Sequence, residues 1–192
     1  MREHLTLGFR VKSGFAVAVV LSGPKSAPLA LARRVVSLSD AGVEATRQPY
    51  HNGFGTAQED LDEIARLTAI IKRCAGQSVK ELLADAIFES RSCRKAGIVV
   101  GSVIDPARVG NPHIRAHASE GRLFRSALAE ALDDRNIACT VIVEKTLGAE
   151  ARKAIDRPPG QIAKEIAGMG RALGGPWRAE EKSAATAAWM VL

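Results

Sequence analysis

The residues that most constrain this chain lie at its start. Leu5–Gly23 reads LTLGFRVKSGFAVAVVLSG: two short apolar runs around a Lys12-Ser13-Gly14 turn. Apolar runs of this length, rich in Val and Ala, fit buried strands. We place the first strand at His4–Val11 and the second at Phe15–Leu21. Gly23-Pro24 marks the next turn. A third strand follows at Leu29–Leu38, and Arg33 and Arg34 within it put it near a sheet edge.

The patterning then changes period. Residues 40–55 form a loop whose turn chemistry is Pro49, Asn52-Gly53 and Gly55. Thr56 and Glu59 have the spacing of a capping box ahead of Leu61, Ile64, Leu67 and Ile71. Gly76 interrupts this run. Ser78 and Glu81 repeat the box before Leu82, Leu83, Ala86 and Ile87, giving two helices or one with a break. Ala96–Ile104 (AGIVVGSVI) lacks polar alternation, as a strand covered on both faces should. Asp105-Pro106 ends it. Asn111 and Pro112 read as an N-cap and first-turn proline for a helix reaching about Asp134, with Phe124, Leu128 and Leu132 inward. Ala138–Val143 is a further buried strand, Ala149–Ile155 a short helix, and Gln161–Ala167 and the chain from Ala179 the last two helices. This order predicts one α/β domain over residues 1–192. Its mixed five-stranded sheet has three leading antiparallel strands, and both later strands are internal and parallel to the first.

Charge and cysteine content narrow the partners. Lys and Arg outnumber Asp and Glu by 27 to 21, a net charge of +6. That favours polyanions such as nucleic acid, although a solvated basic surface has the same composition. Aromatic residues are only 4%, so Ala, Val, Leu and Ile must build the core. Cys74, Cys93 and Cys139 are odd in number and match no zinc spacing, as expected of reduced thiols in a cytoplasmic protein. No apolar run approaches the ~18 residues of a membrane span. After Arg2, Arg10 and Lys12 interrupt any signal-like core.

Three strands, then helix, strand, helix, strand and helix, is the order of the ribonuclease H-like fold. Within it, the chain resembles the RuvC-type Holliday junction resolvases. Gly8-Phe9-Arg10 and Lys12-Ser13-Gly14-Phe15-Ala16 occupy the family's Gly-x-Asp, small-residue turn and Gly-rich second strand. The resemblance extends loosely over Leu5–Leu192. It implies a nuclease in which clustered carboxylates hold two divalent ions, Mg²⁺ or Mn²⁺, on a scissile phosphate. The residues depart from that pattern. The first-strand aspartate falls on Arg10, which cannot ligate a metal. The fourth-strand glutamate falls near Gly101-Ser102. The Asp-x-x-Asp of the last helix falls on Glu181-Lys182-Ser183-Ala184, keeping at most one acid.

Other constellations carry chemistry of their own. His113, His117 and Glu120 share one helix face, a spacing that can bind one metal. Asp105 could add a ligand if its loop folds back. The same row also fits an extension of the apolar stripe of Phe124 and Leu128. Between residues 91 and 125, seven Lys/Arg face two acids, Asp105 and Glu120. Asp60, Asp62 and Glu63 suit a helix N-terminus. Cys93 beside Arg94 and Lys95 has a setting that can lower a thiol pKa, without a partner to make it a nucleophile. The Ala-rich last helix either packs on the sheet or contributes to a homodimer.

These readings converge on a RuvC-like domain without two-metal catalysis that binds nucleic acid or a protein partner. The predicted polyanion surface is Arg10, Lys12, Arg108 and Arg115. The competing reading is a divergent divalent-metal nuclease using Asp105, Glu120, Glu181 and the histidines. A third, an actin-like or metabolic relative of the fold, needs a nucleotide-binding loop that the sequence does not contain.

Overall fold

The computed structural model describes residues 4–53 and 56–192. Arg2 of the N-terminal reading and Gly55 of the loop reading lie outside these residues. Five strands form one sheet: β1 (His4–Lys12), β2 (Phe15–Ser22), β3 (Leu29–Ser37), β4 (Ser92–Val100) and β5 (Ala138–Val143), in the order β3-β2-β1-β4-β5. β1–β2 and β2–β3 are antiparallel, whereas β1–β4 and β4–β5 are parallel. This is a mixed five-stranded sheet flanked by helices, the ribonuclease H-like architecture expected. Gly14 takes φ +80° in the β1–β2 turn, where a side chain would be strained.

The sheet alternation divides the core. Leu5, Leu7, Phe9 and Val11 face α1 (Leu61–Leu83) and α2 (Pro112–Asp133), packing with Ile71, Phe124 and Leu128. The other face carries α3 (Leu147–Ile155), α4 (Pro159–Leu173) and α5 (Ala179–Val191), with Val19 and Leu21 against Ala184, Ala188 and Trp189. α5 lies almost on the backbone of the sheet. A Cβ on Gly8 would overlap the Ala184 carbonyl, and one on Gly97 would come within 2.6 Å of Ala187 O. Thr6 Oγ1 donates to Ala188 O at 3.0 Å across this contact. Small residues on both sides permit the approach, so α5 is part of the core.

Four sequence expectations are corrected. α1 starts at Asp60, whose carboxylate accepts from the backbone N–H of Asp62 and Glu63, so Thr56 and Glu59 form no box. A short acidic cap adjacent to the first turn satisfies the same donors. α1 also runs unbroken through Gly76 and Ser78. Its buried stripe of Leu67, Ile71, Ala75, Val79 and Leu82 outweighs the roughly 1 kcal/mol that one glycine costs a helix. β4 ends at Val100, four residues short of Ile104, where its partner β5 ends at Val143; Val103 and Ile104 are exposed. Finally, β5 is an edge strand with Val141 exposed, because no later strand pairs with it. Asn111 caps α2 as expected, its Oδ1 accepting from Ile114 N at 3.1 Å. No described helix is long and apolar enough to cross a membrane.

Candidate functional site

Because β1 and β4 are parallel, their C-terminal ends share one sheet edge. The β1–β2 turn, the loop leaving β4, the start of α2 and the residue after β5 all gather there. A cavity of about 270 Å³ lies between them, lined by Arg10, Lys12, Ser13, Ser102, His117 and Glu120, among others.

Arg10 is buried, with 6% of its surface exposed. Its Nε and Nη2 donate to the two Glu144 carboxylate oxygens at 3.1 and 2.7 Å, and Nη1 donates to Val11 O at 2.7 Å. The expectation of a phosphate-facing Arg10 is therefore revised: its guanidinium is fully engaged inside the protein. Lys12 lies 3.6 Å from Glu180 on the first turn of α5 and is partly exposed. Glu180 is held below the usual carboxylate range, first by its own backbone N–H and then by Lys12 and Arg10. Arg108 is exposed on a short 3₁₀ turn. Arg115 is exposed but turned back onto its loop, donating to Val109 O at 2.8 Å and Gly110 O at 3.1 Å.

The three acids considered for catalysis go to different tasks. Asp105 is exposed, accepts from Ala107 N at 3.1 Å and sits 3.9 Å from Arg122. Glu181 caps α5, accepting from Arg178 N at 2.9 Å, and pairs with Arg33 of β3 at 3.6 Å. Glu120 is buried beneath the histidines. Among the described residues, no carboxylate joins the group of side chains able to share a metal. The resemblance implies two hard divalent ions held by converging acids. These residues do not fit such a pair. A buried guanidinium occupies the β1 position, neutral Gly101-Ser102 follows β4, and the α5 acids serve a cap and Lys12.

The histidines do converge. His113 and His117, one turn apart on α2, bring their Nε2 atoms to 3.2 Å. A third ring, His51, enters from the loop before α1, with its centroid 4.5 Å from His117 and 5.2 Å from His113. One nitrogen from each ring lies within 4.8 Å of the others. Glu120 is not a member of this trio but its support. Its Oε1 accepts from His51 Nδ1 at 2.7 Å, and its Oε2 lies 3.6 Å from His117 Nδ1. His51 Nε2 is buried without a hydrogen-bond partner. Helical spacing could find His113 and His117 but not His51, whose loop has no period. Its signal is confined to the turn residues that return residue 51 to pair with Ala57.

Cys93 departs from its expected setting. Burial pushes its thiol up to about 11 despite the neighbouring Arg94 and Lys95, whose own side chains are exposed. It is protonated at neutral pH.

The sequence matches no family model and no curated protein. Its fold does have solved counterparts. Thermus thermophilus RuvC superposes with a TM-score of 0.54 at 11% identity, covering 97% of this chain and 92% of that one. T. thermophilus RuvC in complex with a Holliday junction substrate gives 0.55 at 11% identity, covering 97% and 91%. Strand order, helix placement and these superpositions agree: the chain has the RuvC-like form of the ribonuclease H fold.

Proposed function

We propose that this protein is a RuvC-like domain that binds the phosphate backbone of nucleic acid at the C-terminal sheet edge, without two-metal phosphodiester cleavage. One observation carries the reading. Three acids of that edge are already matched by cations, Glu144 by Arg10, Glu180 by Lys12 and Asp105 by Arg122, and the fourth, the buried Glu120, is engaged by His51. The exposed Arg108 and Arg115 are then in surplus. Phosphate binding needs surface cations of this kind, whereas metal-assisted cleavage needs unpaired carboxylates. A RuvC relative binds a Holliday junction, so branched DNA is the first ligand to try. The three unpaired cysteines suit a reducing cytoplasmic setting.

Fluorescence anisotropy with a four-way junction, linear duplex and single strands, across a salt series, tests this reading. Binding should weaken with salt, and Arg108→Ala/Arg115→Ala should flatten the log–log slope by roughly one unit per lost contact. Absence of salt-dependent binding, or an unchanged slope in the double variant, refutes the site. Cutting of the junction with Mg²⁺ or Mn²⁺, abolished by Glu181→Ala, would instead favour the nuclease alternative.

A further inference from the structure

We infer that His51, His113 and His117 form a binding site for a transition-metal cation of the Zn²⁺ class, with Glu120 as the group that orients the ligands.

Glu120 Oε1 lies 2.7 Å from His51 Nδ1, so in the neutral tautomer that donates to the carboxylate the ring proton is on Nδ1. In that tautomer the lone pair is on Nε2, the atom that is buried and unpartnered. A buried polar atom with no partner costs free energy, so its persistence calls for an explanation. The His51 side chain is only 5% exposed, which leaves bulk water little access to that nitrogen.

His117 is placed more loosely on the same carboxylate, with Nδ1 3.6 Å from Glu120 Oε2, and its Nε2 hydrogen-bonds His113 Nε2. One carboxylate thus lies on the Nδ1 side of two rings; His51 Nε2 has no partner, and a cation between His113 and His117 would replace the contact between their Nε2 atoms. A carboxylate on that side is how metal-binding histidines are usually held. The His113–His117 Nε2 separation of 3.2 Å also fits. Two nitrogens at about 2.0–2.1 Å from a tetrahedral ion lie roughly 3.3 Å apart. With all three nitrogens within 4.8 Å of one another, His51 would have to close by at most about 1.5 Å to complete the tetrahedral spacing.

Imidazole ligands select the Zn²⁺, Cu²⁺, Ni²⁺ and Co²⁺ range over Mg²⁺, which prefers oxygen. Three histidines fill three tetrahedral positions. His113 and His117 are solvent-exposed, so the fourth position is open to water or an anionic oxygen. His117 and Glu120 line the same cavity as Arg10, where the resemblance puts its metal-binding aspartate, but the proposed ligands are three imidazoles and not a carboxylate cluster. The site also stands independently of nucleic-acid binding, since metal uptake is measured without any nucleic acid.

The test uses the full chain without a histidine tag, stripped of metal. Zn²⁺ titration by calorimetry should give one site of micromolar or tighter affinity, and Co²⁺ should develop the visible absorption of a tetrahedral complex. Glu120→Gln should weaken Zn²⁺ binding about 10–100-fold, as the loss of a group that orients metal-binding histidines does. His113→Ala, at an exposed position, should abolish the Co²⁺ spectrum with the fold intact by circular dichroism. His51→Ala should also lose binding. No binding below millimolar Zn²⁺ overturns the site. So does unchanged affinity in folded His51→Ala, because the ion would then be held by the surface pair alone.

Discussion

Removing Glu144 is expected to destabilise the protein more than removing Arg10. The Arg10 side chain is 8% exposed and that of Glu144 46% exposed. In Glu144→Ala the guanidinium stays in place with two donors unpaired and only the carboxylate of Glu180, which it does not touch, as countercharge. Breaking a buried pair from one side costs about 3–5 kcal/mol, and water reaching the Glu144 side brings the expectation to the lower end, about 3 kcal/mol. In Arg10→Met the charge is gone, the stem volume is largely kept and Glu144 can turn to solvent. The expected loss is about 1 kcal/mol, mainly the unpaired Val11 carbonyl. For a chain of this size each kcal/mol lowers Tm by roughly 2–4 °C, so the two variants should separate by several degrees. Arg10→Met/Glu144→Ala should lie near Arg10→Met alone, giving a coupling of about 3 kcal/mol in size. Urea denaturation followed by circular dichroism measures all three. Equal losses for the two single variants, or additive losses in the double variant, would refute the reasoning.

Two glycines should respond oppositely to alanine. Gly8→Ala places a methyl on the Ala184 carbonyl and should cost about 3 kcal/mol or more, or prevent folding, as a thermal melt will show. Gly76→Ala meets open space inside α1 and should stabilise by up to about 1 kcal/mol; a lowered Tm would contradict the unbroken helix. Cys93 and Cys139, both pushed up to about 11 by burial, should react with iodoacetamide at pH 8 far more slowly in the folded chain than in urea. Their folded pKa is raised, so the stability they favour is present below the unfolded thiol value of about 8.5 and falls as pH rises toward 11. Fast labelling of the native protein, or stability that is flat over that range, would count against their burial.

The fold was legible from local chemistry wherever local chemistry decides. The Lys12-Ser13-Gly14 turn, Asn111-Pro112 and the apolar strand runs each determine their own neighbourhood. Errors arose where a distant partner decides. β4 stops at Val100, where its partner β5 ends at Val143. β5 is apolar yet lies at an edge, since strand order is not written in any one strand. Arg10 looked like a surface cation because Glu144, its partner, is 134 residues away. Half of the histidine site was readable, since α2 imposes a period on His113 and His117. His51 reaches them only through tertiary folding, and that contact turns Glu120 from a supposed ligand into their support.

The contact between α5 and the sheet also bears on the order in which the molecule can assemble. Gly8 and Gly97 are made well before the alanines that cover them and Trp189, which is fully buried, emerge from the ribosome. Thr6 waits 182 residues for the Ala188 carbonyl it binds. Until then the nascent sheet presents one bare apolar face. Contacts this far apart in sequence form slowly, and such a face is open to aggregation. A helper that shields hydrophobic surface during translation should therefore raise the soluble yield, and deleting residues 184–192 should leave a chain that cannot close its core.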